Sequence, residues 1–216
     1  ATANRFLGDY DASLRAAGEI IQLTEANDEY QMYYAEALRV KGLALYRLGQ
    51  ARQAIEVLEH SLNLYIHLND TSSIPILFME TGIVYGAIGN YTEAGTSYEK
   101  ALLIWRQEGN LSWQANLLNN LGFLYHSQGK YEKAALAYEE GLVCAQRSGY
   151  TRMEAFIAIG LGDLSTELED FSVAQLNYRH AEEIVREMDD RFLLVYLTMA
   201  QAILMLLQKK VAQAHQ

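Results

Sequence analysis

An all-α fold of stacked antiparallel helix pairs is what the sequence predicts, on three observations. Small residues recur at a fixed interval of 40 along the 216-residue chain. Within each interval, apolar residues return at steps of three and four in two separate blocks, the spacing of two amphipathic helices. Gly, Asn and Asp gather at two points per interval, where they supply the left-handed and capping conformations that end one helix and start another.

The columns are explicit. Gly42, Gly82, Gly122 and Gly162 form one series, continued by Ala202; Ala54, Ala94, Ala134, Ala174 and Ala214 form a second. Gly49, Gly89 and Gly129 mark a tight turn and pass to Glu169 and Lys209, followed two residues on by Ala51, Tyr91, Tyr131, Phe171 and Val211. Leu58, Tyr98, Tyr138 and Tyr178 stay in step, as do Ser61, Ala101, Gly141 and Ala181. Gly8-Asp9-Tyr10 is an earlier partial copy. The second loop carries Asn69-Asp70, Gly109-Asn110, Gly149-Tyr150 and Asp189-Asp190.

Each unit therefore reads as helix A, tight turn, helix B, turn. A helices are expected over 29–48, 72–88, 111–128, 151–168 and 191–209, and B helices over 10–25, 51–67, 91–107, 131–147 and 171–187. Pro75, the one proline, falls in a first helical turn, where its missing N–H costs nothing. The domain reading is a single repeat domain over 1–216: a partial repeat 1–28, repeats 29–70, 71–110, 111–150 and 151–190, and a partial repeat 191–216. Because the chain starts at Ala1 without a signal-peptide pattern, it reads as a fragment of a larger protein. Four glycines at one helical phase, each costing about 1 kcal/mol relative to Ala, imply a close neighbour. The expected neighbour is helix B of the same unit, through its Ala54-type column, with the Tyr98-type aromatic filling the space toward the next hairpin.

Composition excludes several roles. Half the residues are hydrophobic, enough for a packed core. The formal charge is −10, opposite to the basic footprint that nucleic-acid phosphates require, and polybasic clusters for an anionic membrane surface are missing. The apolar run from Phe192 to Leu207 is shorter than a spanning helix and reads as a buried helix instead. The single cysteine, Cys144, fits a reducing, cytoplasmic setting.

The unit Leu118-Asn119-Asn120-Leu121-Gly122-Phe123-Leu124-Tyr125, then Gly129-Lys130-Tyr131, Ala134, Tyr138 and Gly141, resembles a tetratricopeptide repeat. The family's positions fall on Leu118, Leu121, Gly122, Tyr125, Ala134, Tyr138 and Gly141, and the resemblance covers essentially the whole chain. Two departures stand out: the period is 40 rather than the family's usual length, and Ile66, Arg106, Gln146 and Arg186 occupy the phase of its late proline. Longer repeats of this kind are similar to those of kinesin light chains, polarity-complex adaptors and bacterial signal-transduction ATPase regulators. The resemblance implies a right-handed superhelix of about five repeats whose A helices line a concave groove.

Catalytic and metal chemistry find no motif. His60, His67, His126, His180 and His215 form no metal-ligand spacing. Gly160-Leu161-Gly162 falls inside a helix, not on a phosphate loop. The paired carboxylates Glu139-Glu140, Glu182-Glu183 and Asp189-Asp190 read as solvated faces. The chain is expected to be no enzyme and to use no cofactor or metal; its partner is a protein or peptide.

The groove positions implied by the resemblance change residue class at every repeat, whereas packing columns keep theirs. Recognition explains that contrast, and so does unconstrained variation at solvent-facing positions. Under recognition the site residues are Arg39, Tyr46, Met79, Asn116, Asn119, Phe123, His126, Phe156 and Asp163. Asn116 and Asn119 offer amide donors and acceptors to an extended backbone, and Phe123 and Phe156 apolar pockets. Arg39 and Arg47 would favour an acidic end of the ligand, and Asp163 and Glu167 a basic one. A competing role is self-association, a homodimer through Met199, Ile203, Leu206 and Leu207. In that reading the chain is the ligand-sensing arm of a transcription-regulating ATPase.

Overall fold

A computed structural model describes residues 9–214. Gly8 and His215 lie outside the described residues. Ten α-helices follow one another among these: α1 Tyr10–Thr24, α2 Gln31–Arg47, α3 Ala51–His67, α4 Ile74–Ala87, α5 Tyr91–Gln107, α6 Leu111–Ser127, α7 Tyr131–Ser148, α8 Thr151–Glu167, α9 Phe171–Met188 and α10 Arg191–Ala214. A single 3-10 turn, Asp28–Tyr30, precedes α2. The fold is all-α, and the expected helices occur in order. Pro75 sits in the first turn of α4, and Asp9, Asn110, Asp170 and Asp190 each accept a backbone N–H three residues on.

The chain divides into two compact units, 1–104 and 105–216, within the last turn of α5. In the first, Ala54, Leu58, Leu62 and Tyr65 of α3 pack with Ala35 and Leu45 of α2 and Leu77 and Val84 of α4. In the second, Tyr178, Ala181 and Val185 of α9 pack with Ala155, Ala158 and Ile159 of α8 and Leu193, Leu197 and Leu204 of α10. In each unit, consecutive helices pair and the pairs stack in chain order.

Backbone geometry repeats with the sequence. Left-handed φ occurs at Gly49, Gly89, Gly129 and Glu169 in one turn, and at Asn69, Gly109, Gly149 and Asp189 in the other. Glu169, at φ 60°, keeps the conformation without the glycine that makes it cheap. Lys209 does not: α10 runs straight through this position to Ala214.

The glycine column packs as expected, against helix B of its own pair, but through a different residue. A Cβ on Gly42 would lie 2.6 Å from Leu58, on Gly82 2.6 Å from Tyr98, on Gly122 2.6 Å from Tyr138 and on Gly162 2.3 Å from Tyr178. The Ala54-type residue contributes only a backbone oxygen, 3.3 Å away at Gly42 and Gly82. The aromatic column thus fills the glycine notch, while the alanine lets the helices approach closely enough for it to do so. Tyr138 also reaches the following pair, since a Cβ on Gly160 would lie 2.8 Å from its ring.

The final helix corrects one expectation. Leu193, Leu197, Ala200 and Leu204 are buried, but Phe192, Val195, Met199, Met205 and Leu206 are exposed. No helix packs on α10 from its other side among the described residues, so the apolar run is buried on one face only. Residues Arg191–Lys210 are long and apolar enough to cross a membrane by length and composition, and 22% of that stretch is buried within the fold.

Candidate functional site

In the first unit, Arg39 is already engaged within the fold. The Arg39 guanidinium donates to both oxygens of Glu36, each at 2.8 Å, and to Glu80 Oε1 at 2.6 Å. Tyr65 donates to Glu36 Oε2 at 3.1 Å. Arg39 is therefore an internal tie between α2 and α4, its charge outweighed by two carboxylates rather than offered to an acidic ligand. Met79 is 9% exposed and belongs to the core, so it lines no groove. Tyr46 is half-buried beneath the guanidinium of Arg47, 5.6 Å from its ring.

In the second unit, Asn116 and Asn119 are half-buried on α6, and their amides make no side-chain hydrogen bond among the described residues. Phe123 stands 66% exposed on the same helix. Phe156 is half-buried against the α8–α10 core, with the Arg152 guanidinium 5.3 Å from its ring. None of these four lines a described pocket.

The convergence lies further along α6 and α8, toward their C-terminal ends. A pocket of ≈ 390 Å³ is lined by His126 of α6, by Asp163, Thr166 and Glu167 of α8, by Tyr178 of α9, and by Tyr196, Met199, Ala200, Ile203 and Leu207 of α10. It joins two groups the sequence reading kept apart: the polar residues His126 and Asp163, and the expected self-association residues Met199, Ile203 and Leu207. Leu206 is exposed and is not among the lining residues.

One wall of the pocket is a carboxylate network. Tyr178 donates to Asp163 Oδ1 at 2.6 Å and Tyr196 to Oδ2 at 3.4 Å. Thr166 donates to the Gly162 carbonyl at 2.7 Å and lies 3.2 Å from the Tyr178 hydroxyl. Burial pushes the Asp163 carboxyl above its ordinary range, partly offset by the Tyr178 hydroxyl and the nearby His126. Glu167 behaves oppositely: the Tyr131 hydroxyl at 2.8 Å and His126 Nε2 at 2.6 Å hold its carboxyl below the usual range. The facing wall is aliphatic, with Met199 61% and Ile203 54% exposed.

Sequence reasoning placed Tyr178 only in a packing column. Tyr98 and Tyr138 carry the same hydroxyl at the same phase, so the column itself did not single out Tyr178. Glu80 was missed because it lies outside every groove and packing column. Among the described residues, no three His, Cys, Asp or Glu side chains are grouped to hold a metal ion.

Comparison with known proteins agrees with this architecture. A family model described as tetratricopeptide repeat matches residues 75–147. No curated protein sequence matches the chain. A signal transduction ATPase with numerous domains from Pyrococcus horikoshii, carrying a tetratricopeptide repeat sensor, is similar at TM-score 0.80 and 20% identity, covering 93% of this chain and 30% of that one. A putative kinesin light chain from Podosopora anserina has TM-score 0.73 at 13% identity, with 87% and 92% covered. BtubC (BKLC) from P. vanneervenii has TM-score 0.71 at 20% identity, with 95% and 88% covered. At these identities the likeness is one of fold. The notches filled by Tyr98 and Tyr138 and the left-handed turns agree with that match: residues 75–147 fit the tetratricopeptide repeat, and the helical pairs before and after them carry the same fold.

Proposed function

We propose that the chain is a protein–protein interaction module that holds a peptide segment against its A helices, without catalysis of its own. The observation that carries this reading is the pocket of the second unit, where α6, α8 and α10 present hydrogen-bonding groups and exposed aliphatic side chains to one space. A fold of this kind supplies a rigid scaffold for such a surface, while the ligand is set by the side chains on it. Asn116, Asn119 and Phe123, on the exposed side of α6, would extend contact along the peptide backbone. A cytoplasmic setting belongs to this proposal, since the one thiol, Cys144, is free and buried.

The test is affinity capture with the wild-type chain beside an Asn116→Ala/Asn119→Ala/Phe123→Ala variant, with melting curves in parallel. A protein retained by wild type alone supports groove binding. Identical retention by two folded proteins contradicts it.

A second reading is favoured by the exposed apolar side of α10 and by the likeness to the sensor of the Pyrococcus horikoshii ATPase. In that reading the chain is a sensing arm of a transcription-regulating ATPase and self-associates through α10. Sedimentation over a range of concentrations decides it: Met199→Ser/Leu206→Ser, both at exposed positions, should then abolish a concentration-dependent dimer without lowering Tm.

A further inference from the structure

We infer that the pocket of the second unit selects a cationic residue, with a guanidinium as its best match, flanked by apolar residues in the bound peptide. The inference rests on the peptide-binding reading and adds the chemistry of the ligand.

Three observations support it. Asp163 is a partly buried carboxylate whose neighbours donate only neutral hydroxyls, Tyr178 to one oxygen and Tyr196 to the other. Each carboxylate oxygen accepts more than one hydrogen bond, so acceptor capacity remains. No lysine or arginine lines the pocket, whereas Asp163 and Glu167 do; His126, already against Glu167, offsets at most one of the two charges. An anionic ligand would therefore meet repulsion, and a cation would complete an interaction that the fold leaves half made.

The choice of guanidinium follows from shape. A planar fork presents paired donors to a carboxylate, and its flat face suits the ring of Tyr196 beside it. The flanking requirement comes from the opposite wall, where Met199 and Ile203 remain largely exposed and Leu207 closes the edge. Aliphatic neighbours of the cation would cover this surface and exclude water from the ion pair, which strengthens it.

The test is calorimetric titration of the chain with three acetylated, amidated pentapeptides. Each has two leucines on either side of a central arginine, citrulline or glutamate. The arginine peptide should bind best, and citrulline should weaken it at least about tenfold. Asp163→Asn, which keeps an acceptor for Tyr178, should cause the same loss for arginine and almost none for citrulline. Ile203→Ser, at an exposed position, should weaken both peptides. Equal binding of arginine and citrulline, tighter binding of glutamate, indifference to Asp163→Asn, or no binding of any peptide would overturn the inference. Groove binding itself is judged separately by the capture experiment, so a partner lost on the Asn116/Asn119/Phe123 variant but indifferent to Asp163→Asn would retain the module and reject the cation.

Discussion

Tyr138 shows how a single side chain joins two helical pairs. Its ring lies in the notch left by Gly122 and also against Gly160 of the following pair. Gly122→Ala should therefore destabilise by about 1–3 kcal/mol, because the overpacking cost exceeds the helix-propensity gain of roughly 1 kcal/mol. Gly18 is the control. It lies within α1 with nothing within 4 Å of an added Cβ, so Gly18→Ala should stabilise by about 0.5–1 kcal/mol. Urea unfolding of the two variants measures both signs.

Asp163 makes the complementary point about function. Its carboxyl is raised by burial, so the charged form is disfavoured in the fold relative to the unfolded chain. The stability it permits is complete below the unfolded carboxylate pKa and is lost as pH rises through the higher folded value. Asp163→Asn should consequently leave Tm unchanged or raised at pH 7, with the advantage shrinking as pH falls through the carboxylate range. A residue that costs stability while facing a pocket is what a binding surface retains.

At the scale of the element, the turns and the last helix separate what sequence reading could and could not reach. Helix order, both turns and the glycine notch follow from columns of Gly, Ala and Tyr, because steric demands admit few residue types. Glu169 holds a left-handed turn in the position of Gly49, Gly89 and Gly129. Glu169→Gly should therefore stabilise by about 1 kcal/mol, by relieving a conformation that costs a Cβ-bearing residue this much. At Lys209 the same column is helical, and no spacing rule distinguishes the two outcomes. The site was less accessible. The groove positions implied by the resemblance include His126 and Asp163, which line the pocket, and Met79, which is buried in the core. Arg39 was misread because its partner Glu80 lies 41 residues away, beyond any local pattern.

For the whole molecule, repeats that contact mainly their neighbours lose stability locally. Gly162→Leu, which drives a side chain into Tyr178, should raise amide exchange in α8, α9 and α10 well before it does so in α2, α3 and α4. Uniform loss across all helices would mean that the chain unfolds as one cooperative block. The tryptophans give an optical reporter for the second unit, since Trp105 and Trp113 stack at 4.9 Å with rings 8° apart. Their near-ultraviolet signal should disappear with that unit.

The surface formed by α6, α8 and α10 is the one proposed to take a partner. Site-specific photocrosslinking in cells expressing the protein tests it most directly, with a benzophenone side chain placed at Ile203 in the pocket or at Leu176, exposed on α9 and outside it. A discrete adduct at Ile203, missing at Leu176 and lost on Asp163→Asn, is the predicted result. Equal adducts at the two positions, or adducts at Leu176 alone, would mean that the partner binds elsewhere.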